Sequence, residues 1–435
     1  MIIRMKTILI FLIIISMIFL SGCFDAFEPD ELAYVVALGL DDGADGNLII
    51  TLLLAVPIAV GVGPEPGEIE NATNIITVAA PTILGGINIV NSLISKRINF
   101  THAKLIVISK ELAEQGVERF INTFARFREF RPDTHIGITR GSAEEFLKES
   151  KPVLEFNPSK HFELIMESFE YTGFSNGSTI AEFYSRMECT CNEALAILLD
   201  ISQIEDSKDL TEVMYNLKNS EGEVLEGDYT ATDMPIVYEN KVRQMGTAVF
   251  KADKMVGELT GRETFYYLMV SGKLGQAYYT LPDPGEGAKN ITGKREYITL
   301  RLGQARKPEI NVKIKENRPV VNVQVSLEGD ILSITGNSDY STGEGLKKLE
   351  NYASGYVKER VISFLEKTRD EFKSDICFIG KSVKKTFLLW DDWINYNWAE
   401  EYENADFVVD VEVKIRRSGI MVKQVPANQL KGDIR

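Results

Sequence analysis

Residues 320–373 read VVNVQVSLEGDILSITGNSDYSTGEGLKKLENYASGYVKERVISFLEKTRDEFK, and this stretch decides the fold class. From Lys313 to Leu327 apolar residues recur mostly at every second position, the period of a sheet with one face buried. After Gly343 the period changes. Leu346, Leu349, Tyr352, Tyr356, Val357, Val361, Phe364, Leu365 and Phe372 form a stripe at helical spacing, which predicts a helix over Gly343 to Lys373. So wide an apolar face cannot stand in water, so the helix is expected to lie across the sheet before it. Strands packed against a helix in this order predict an α+β fold.

Working outward, strands are expected at Glu296 to Leu302, Glu309 to Ile314, Val320 to Leu327 and Asp330 to Ile334, with Phe407 to Ile415 closing the sheet. A shorter helix between them holds Trp390, Trp393 and Trp398, whose spacing fits burial better than a ligand platform. Upstream, Pro282 to Gly293 reads as a linker. Before it, Lys254 to Leu259 pairs with Gly246 to Lys251, Pro235 to Tyr238 forms another strand, and a helix starts at Thr260 or Arg262.

Further back, residues 158–201 are expected to be helical, with breaks at Gly173 to Gly177 and around Cys189. Thr134 to Thr139 and Lys104 to Ile108 are strands, each leading into a helix; Ser142 to Glu145 is a capping box. Pro81 opens a helix towards Arg97. Ile75 to Ala79 is a strand. Pro57 to Asn74, rich in Gly and Pro, is a loop and an expected site of early proteolysis. Ala33 to Leu40 and Leu48 to Val56 form a hairpin around Asp41 to Gly46. That turn mimics a calcium loop but fails at Gly43, and Leu52 stands where a bidentate glutamate is needed.

The N-terminus carries a targeting pattern. Arg4 and Lys6 precede an apolar run from Ile8 to Leu20, too short to span a bilayer comfortably. Leu20-Ser21-Gly22-Cys23 then supplies the cut site of a bacterial lipoprotein signal peptide. Cys23 is the expected lipidation site, its thiol taking a diacylglyceryl group whose two chains suffice for stable anchoring. No later run approaches a membrane span.

The chain has 435 residues and a net charge of −15, which argues against nucleic acid as a partner. Its length exceeds what one core usually serves, so several domains are expected. Beyond Cys23 there are Cys189, Cys191 and Cys377, too few for a disulfide framework. A bridge within Cys189-Thr190-Cys191 would be strained by its short loop, so three buried thiols are the favoured reading. His102, His135 and His161 are scattered and unpaired with cysteine at metal-site spacing. There is no phosphate-binding glycine loop and no GxSxG elbow. No catalytic, cofactor-binding or metal-binding residue is assigned, and the chain is read as a non-enzyme.

Several segments in order resemble the Ger(x)C family, the lipoprotein C subunits of spore germinant receptors. These are Cys23-Phe24-Asp25, where the family usually has Trp at the second place; Ala37-Leu38-Gly39-Leu40-Asp41; Phe100 to Lys104 and Glu111 to Gly116; Arg126 with Arg128 to Arg131. Gly246 to Leu259 is the best single match. Asp375 to Gly380 follows, with Cys377 where glycine is frequent, then the three tryptophans and Val411 to Gly419. The resemblance implies three α+β domains, each a mainly antiparallel or mixed sheet packed with helices, after a cleaved lipoprotein signal peptide. The expected division is 1–22 signal peptide, 23–205 N-terminal domain, 206–293 hairpin-rich middle domain and 294–435 C-terminal domain. It also implies a lipid-anchored receptor subunit on the outer face of the spore inner membrane, beside membrane subunits A and B. The alternative, a solute-binding lipoprotein of an ABC importer, would require two similar lobes around a cleft.

Overall fold

The computed structural model describes residues 27–56, 73–152, 154–155, 157–221, 223–285, 295–316, 318–336 and 338–417, with residues 4–6 and 10–11 near the N-terminus. Cys23, most of the signal segment, residues 57–72 of the Gly/Pro-rich loop and residues 286–294 of the expected linker lie outside them.

The fold is α+β. A nine-stranded mixed sheet runs in the order β3-β2-β1-β5-β6-β7-β8-β9, with β4 (Arg97–Asn99) paired to β1 off this path. Its strands are β1 (Leu32–Asp42), β2 (Leu48–Ala55), β3 (Thr73–Ala80), β5 (Leu105–Ser109), β6 (His135–Thr139), β7 (Leu195–Ile201), β8 (Val242–Lys251) and β9 (Lys254–Leu259). β1, β5, β6 and β7 are parallel neighbours, and hairpins flank them on both sides. The central strands are buried on both faces because helices cover each one, so they read as unbroken apolar runs such as Leu105-Ile106-Val107-Ile108.

Those helices are α1 (Ile83–Leu93), α2 (Lys110–Gln115), α3 (Glu118–Arg126), α4 (Ala143–Glu149), α5 (Pro158–Met166) and, after the single turn α6 (Phe169–Thr172), which lies beside Gln276–Pro282 instead, α7 (Ile180–Met187). α2 and α3 replace one expected helix, interrupted at Gly116, whose φ of 129° no ordinary side chain adopts readily. The Asp41 turn is a hairpin, and Asp41 itself reaches across the sheet. Its carboxylate accepts from Ala143 N at 2.7 Å, Glu144 N at 3.0 Å and Ser142 Oγ at 3.1 Å, anchoring the start of α4.

The second sheet runs β10 (Gln276–Pro282), β11 (Tyr297–Lys315), β12 (Arg318–Ile334), β13 (Asp406–Arg417); β13 is parallel to β12 and the other pairs are antiparallel. The four short strands expected between Glu296 and Ile334 are two long ones, continued through irregular register near Arg306. The long helix α10 (Gly343–Asp370) packs on this sheet through Leu349, Val357, Val361, Phe364 and Leu365, all buried. Thr342 caps its start by accepting from Gly345 N.

Three further expectations change. Leu195–Ile201 is a strand and not the end of a helical stretch, because a short run buried on both faces has no period to betray it. Pro235 to Tyr238 is irregular backbone, while α8 (Ser207–Glu221) is a helix where hairpins were expected. Strand pairing also crosses the expected boundaries: β7 and β8 lie on either side of 205/206, and β10 and β11 on either side of 293/294. The core crosses them too. Leu195, Val249 and Leu259 of the first sheet share one apolar cluster with α9 (Gly261–Ser271), the second sheet and α10.

Candidate functional site at the junction of the sheets

A cluster of deeply embedded polar residues in that shared core surrounds Arg186, near the end of α7. Its guanidinium is almost wholly buried. Nη1 donates to the carbonyls of Glu193 at 3.1 Å and Ile376 at 3.2 Å. Nε and Nη2 donate to Glu182 Oε1 at 3.1 and 2.9 Å, and Nη2 also to the Tyr267 hydroxyl at 2.7 Å. The Phe378 ring lies under the cation, 4.1 Å from Cζ. Burial alone would lower the guanidinium's pKa, but Tyr267 and Glu182 together raise it, so the charge is retained. One side chain thus ties α7, α9 and the 375–378 loop.

That loop is built on a second buried charge. Asp375 accepts from Gly380 N at 2.6 Å, Trp398 Nε1 at 2.9 Å, Cys377 N at 3.1 Å and Ile379 N at 3.2 Å. Burial pushes its pKa up, opposed by these four donors. The left-handed position of the loop is Phe378, with φ 61°, and not Cys377. At Gly380 a Cβ would run into the Trp398 indole and the Cys191 carbonyl, so this glycine is required by close approach. After α11 (Ile379–Lys384), the tryptophans fall on two short helices, α12 (Trp390–Tyr396) and α13 (Trp398–Glu401), separated by left-handed Asn397. Trp393 and Trp398 are core, as expected. Trp390 is exposed, with Lys384 Nζ stacked 4.3 Å over its ring.

Cys189 and Cys191 are not free thiols: they form a disulfide, and among the described residues Cys377 is the one free thiol, buried. The turn that ends α7 brings their Cα atoms to 5.2 Å, inside the range a bridge requires, which the sequence spacing alone did not reveal. Thr190 between them accepts from Trp393 Nε1 at 2.9 Å. Beside the bridge, Glu193 accepts from Ala252 N at 2.8 Å, and burial raises its pKa to about 7.

The histidines do not converge. His102 stands edge-on to Tyr34, His161 lies against Phe162, and His135 sits in β6, where burial lowers its pKa. Among the described residues no group of three His, Cys, Asp or Glu side chains could hold a metal ion. No described helix is long and apolar enough to cross a membrane. The junction is a structural tie of buried charges. Neither Arg186 nor Asp375 was singled out from the sequence as a buried ion; the Glu182–Arg186 spacing resembles any exposed helical pair.

The order of these elements is matched by known proteins. The family model described as the spore germination protein N-terminal domain covers residues 25–200, and the one described as spore germination B3/GerAC like, C-terminal, covers residues 245–419. The chain belongs to the Ger(x)C family. Arg186 lies in the first matched region, and its partners Tyr267 and Ile376 lie in the second. Three relatives match over almost their whole length. Spore germination protein KC of Bacillus subtilis is 23% identical, with 98% of this chain and 99% of the relative covered. Spore germination protein GerQC of Bacillus cereus is 20% identical, covering 96% and 99%. Spore germination protein B3 of B. subtilis is 21% identical, covering 93% and 96%. The crystal structure of the GerBC protein superposes with a TM-score of 0.46 at 17% identity, over 87% of this chain and 96% of that one.

Proposed function

We propose that this chain is the non-enzymatic, lipid-anchored C subunit of a nutrient germinant receptor, required to trigger germination. The observation that supports this most is the ordered match of both germination family models, flanking a junction whose polar groups hold parts together. The Leu20-Ser21-Gly22-Cys23 pattern supports Cys23 as the site of diacylglyceryl attachment, which would hold the chain at the outer face of the spore inner membrane. Its partners in this reading are the receptor's A and B membrane subunits. A division at about 205 and 293 then describes units of sequence, joined in the fold by shared sheets and core.

Deleting the gene in its own spore former should abolish or slow loss of refractility with at least one nutrient from a panel. Complementation with Cys23→Ala should fail to restore it, and the variant should lose fatty-acid label and remain uncut. Normal germination of the deletion strain with every nutrient would refute the receptor role. Undiminished label on the variant would refute the anchor.

A further inference from the structure

Beside the Cys189–Cys191 bridge opens a cavity of about 610 Å³, whose wall carries both cysteines together with Arg186, Lys381, Lys384 and Lys385. The carboxylate in that wall, Glu182, is already held by Arg186 and by Lys273. Among the described residues no carboxylate pairs with Lys381, Lys384 or Lys385. On a chain of net charge −15 this is a locally positive recess, and such a recess concentrates anions.

The bridge makes little sense as a staple. A disulfide constrains the unfolded chain more as the loop it closes lengthens, and here one residue separates the cysteines. It is also within reach of solutes: Cys189 is half-buried and lines the basic cavity, whereas Cys191 is 7% exposed. Attack would therefore fall on Cys189 Sγ and expel the Cys191 thiolate, which neighbouring cations stabilise.

We propose that Cys189–Cys191 is a thiol–disulfide exchange site that small anionic thiols reach through this basic cavity, and that opening it loosens the seat of α12. In the first step a thiolate bonds to Cys189 Sγ as the S–S bond breaks, and the Cys191 thiolate takes up a proton. A second thiol then attacks the mixed disulfide. Two small thiols are oxidised to one disulfide while the bridge is reduced to two thiols. The consequence runs through Thr190, which the bridge holds in a three-residue ring and which accepts the Trp393 indole N–H at 2.9 Å. Trp393 is buried against Phe387, so freeing Thr190 frees the contact that seats α12.

The test uses the purified full-length chain at low salt. Bridge opening is timed by alkylation and mass spectrometry with 2-mercaptoethanesulfonate, 2-mercaptoethanol and cysteamine, each rate divided by that on an oxidised Cys-Thr-Cys peptide. The normalised anionic rate should exceed the cationic one by about tenfold. That preference should vanish in 1 M NaCl and in a Lys381→Gln/Lys384→Gln/Lys385→Gln variant, whose exposed or half-exposed positions do not threaten folding. Opening should shift tryptophan emission to the position shown without thiol by Cys189→Ala/Cys191→Ala. The proposal is overturned if the bridge opens only after denaturation, if the three thiols show no charge order, or if emission stays unchanged on opening. None of these outcomes bears on the germination reading.

Discussion

Arg186 Nη1 donates to the carbonyl of Ile376 across 190 residues of chain, and its Nη2 reaches the hydroxyl of Tyr267. Removing this guanidinium leaves Glu182 with Lys273 alone and strands two carbonyls in the core. Breaking a buried ion pair commonly costs about 3–5 kcal/mol. Glu182 keeps 27% of its side chain open to water, which favours the lower end. Arg186→Met should therefore lower stability by about 3 kcal/mol, read as a shift in the denaturant midpoint. Loss of both sheets' signals together would show that the junction couples them; a midpoint equal to that of the parent would contradict the assignment.

Glu193 makes stability fall as pH rises. Its pKa is about 7 in the folded chain, above the ordinary carboxylate value, because burial disfavours the charge and nearby Asp375 adds to the effect. The folded state therefore binds more protons than the unfolded one between the two values. The associated stability is fully present below the unfolded pKa and is lost as pH rises through about 7. Glu193→Gln keeps an oxygen for Ala252 N and should flatten this slope, gaining stability at pH 8 relative to the parent. Urea unfolding of both proteins at pH 5, 6.5 and 8 checks it; parallel curves would show that Glu193 titrates normally.

Leu349 is wholly buried where α10 meets the second sheet. Leu349→Ala should cost about 2–5 kcal/mol in the whole chain. A fragment beginning at residue 294 should behave differently from a domain. It lacks β10, leaving an unpaired edge on β11, and it lacks α9, whose Phe265 and Tyr266 fill the same core. Such a fragment should be aggregation-prone, without a cooperative transition. A sharp, reversible melt for it would show that the sequence boundary is also a folding boundary.

Trp390 is exposed while Trp393 and Trp398 are not. Acrylamide should quench one emitting component strongly, and Trp390→Phe should remove most of that component while leaving the midpoint of unfolding within about 0.5 kcal/mol. Equal quenching before and after the substitution would mean that all three indoles are core.

What could be read from the sequence follows from where periodicity survives. The stripe from Leu346 to Phe372 faces a sheet on one side and water on the other, so its period identified α10 almost to the residue. Leu195–Ile201 has helices on both faces of its sheet and shows only an apolar run. α8 carries many charged and polar residues and gave no stripe to count. The split of β11 came from Pro308 and its charged neighbours, which the strand tolerates at a register irregularity. Partners distant in sequence were least legible: nothing near Asp41 points to Ala143, and nothing near Arg186 distinguishes a buried node from a surface pair. The Ger(x)C pattern was readable because it is an ordered set of short segments, whereas the disulfide depends on how one turn leaves a helix.

If Cys23 carries lipid, as proposed, the position of β1 sets how far the folded body stands from the membrane. With Cys23 acylated, only eight residues lie between it and Leu32, which is already paired to β4. Even fully stretched, that leash spans no more than about 30 Å. The edge of the sheet around Phe27 and Arg97, where the cation stacks 4.3 Å over the ring, must then hover near the headgroups. On that proposed anchoring, this edge of the chain could search for a partner no farther from the membrane than the leash allows.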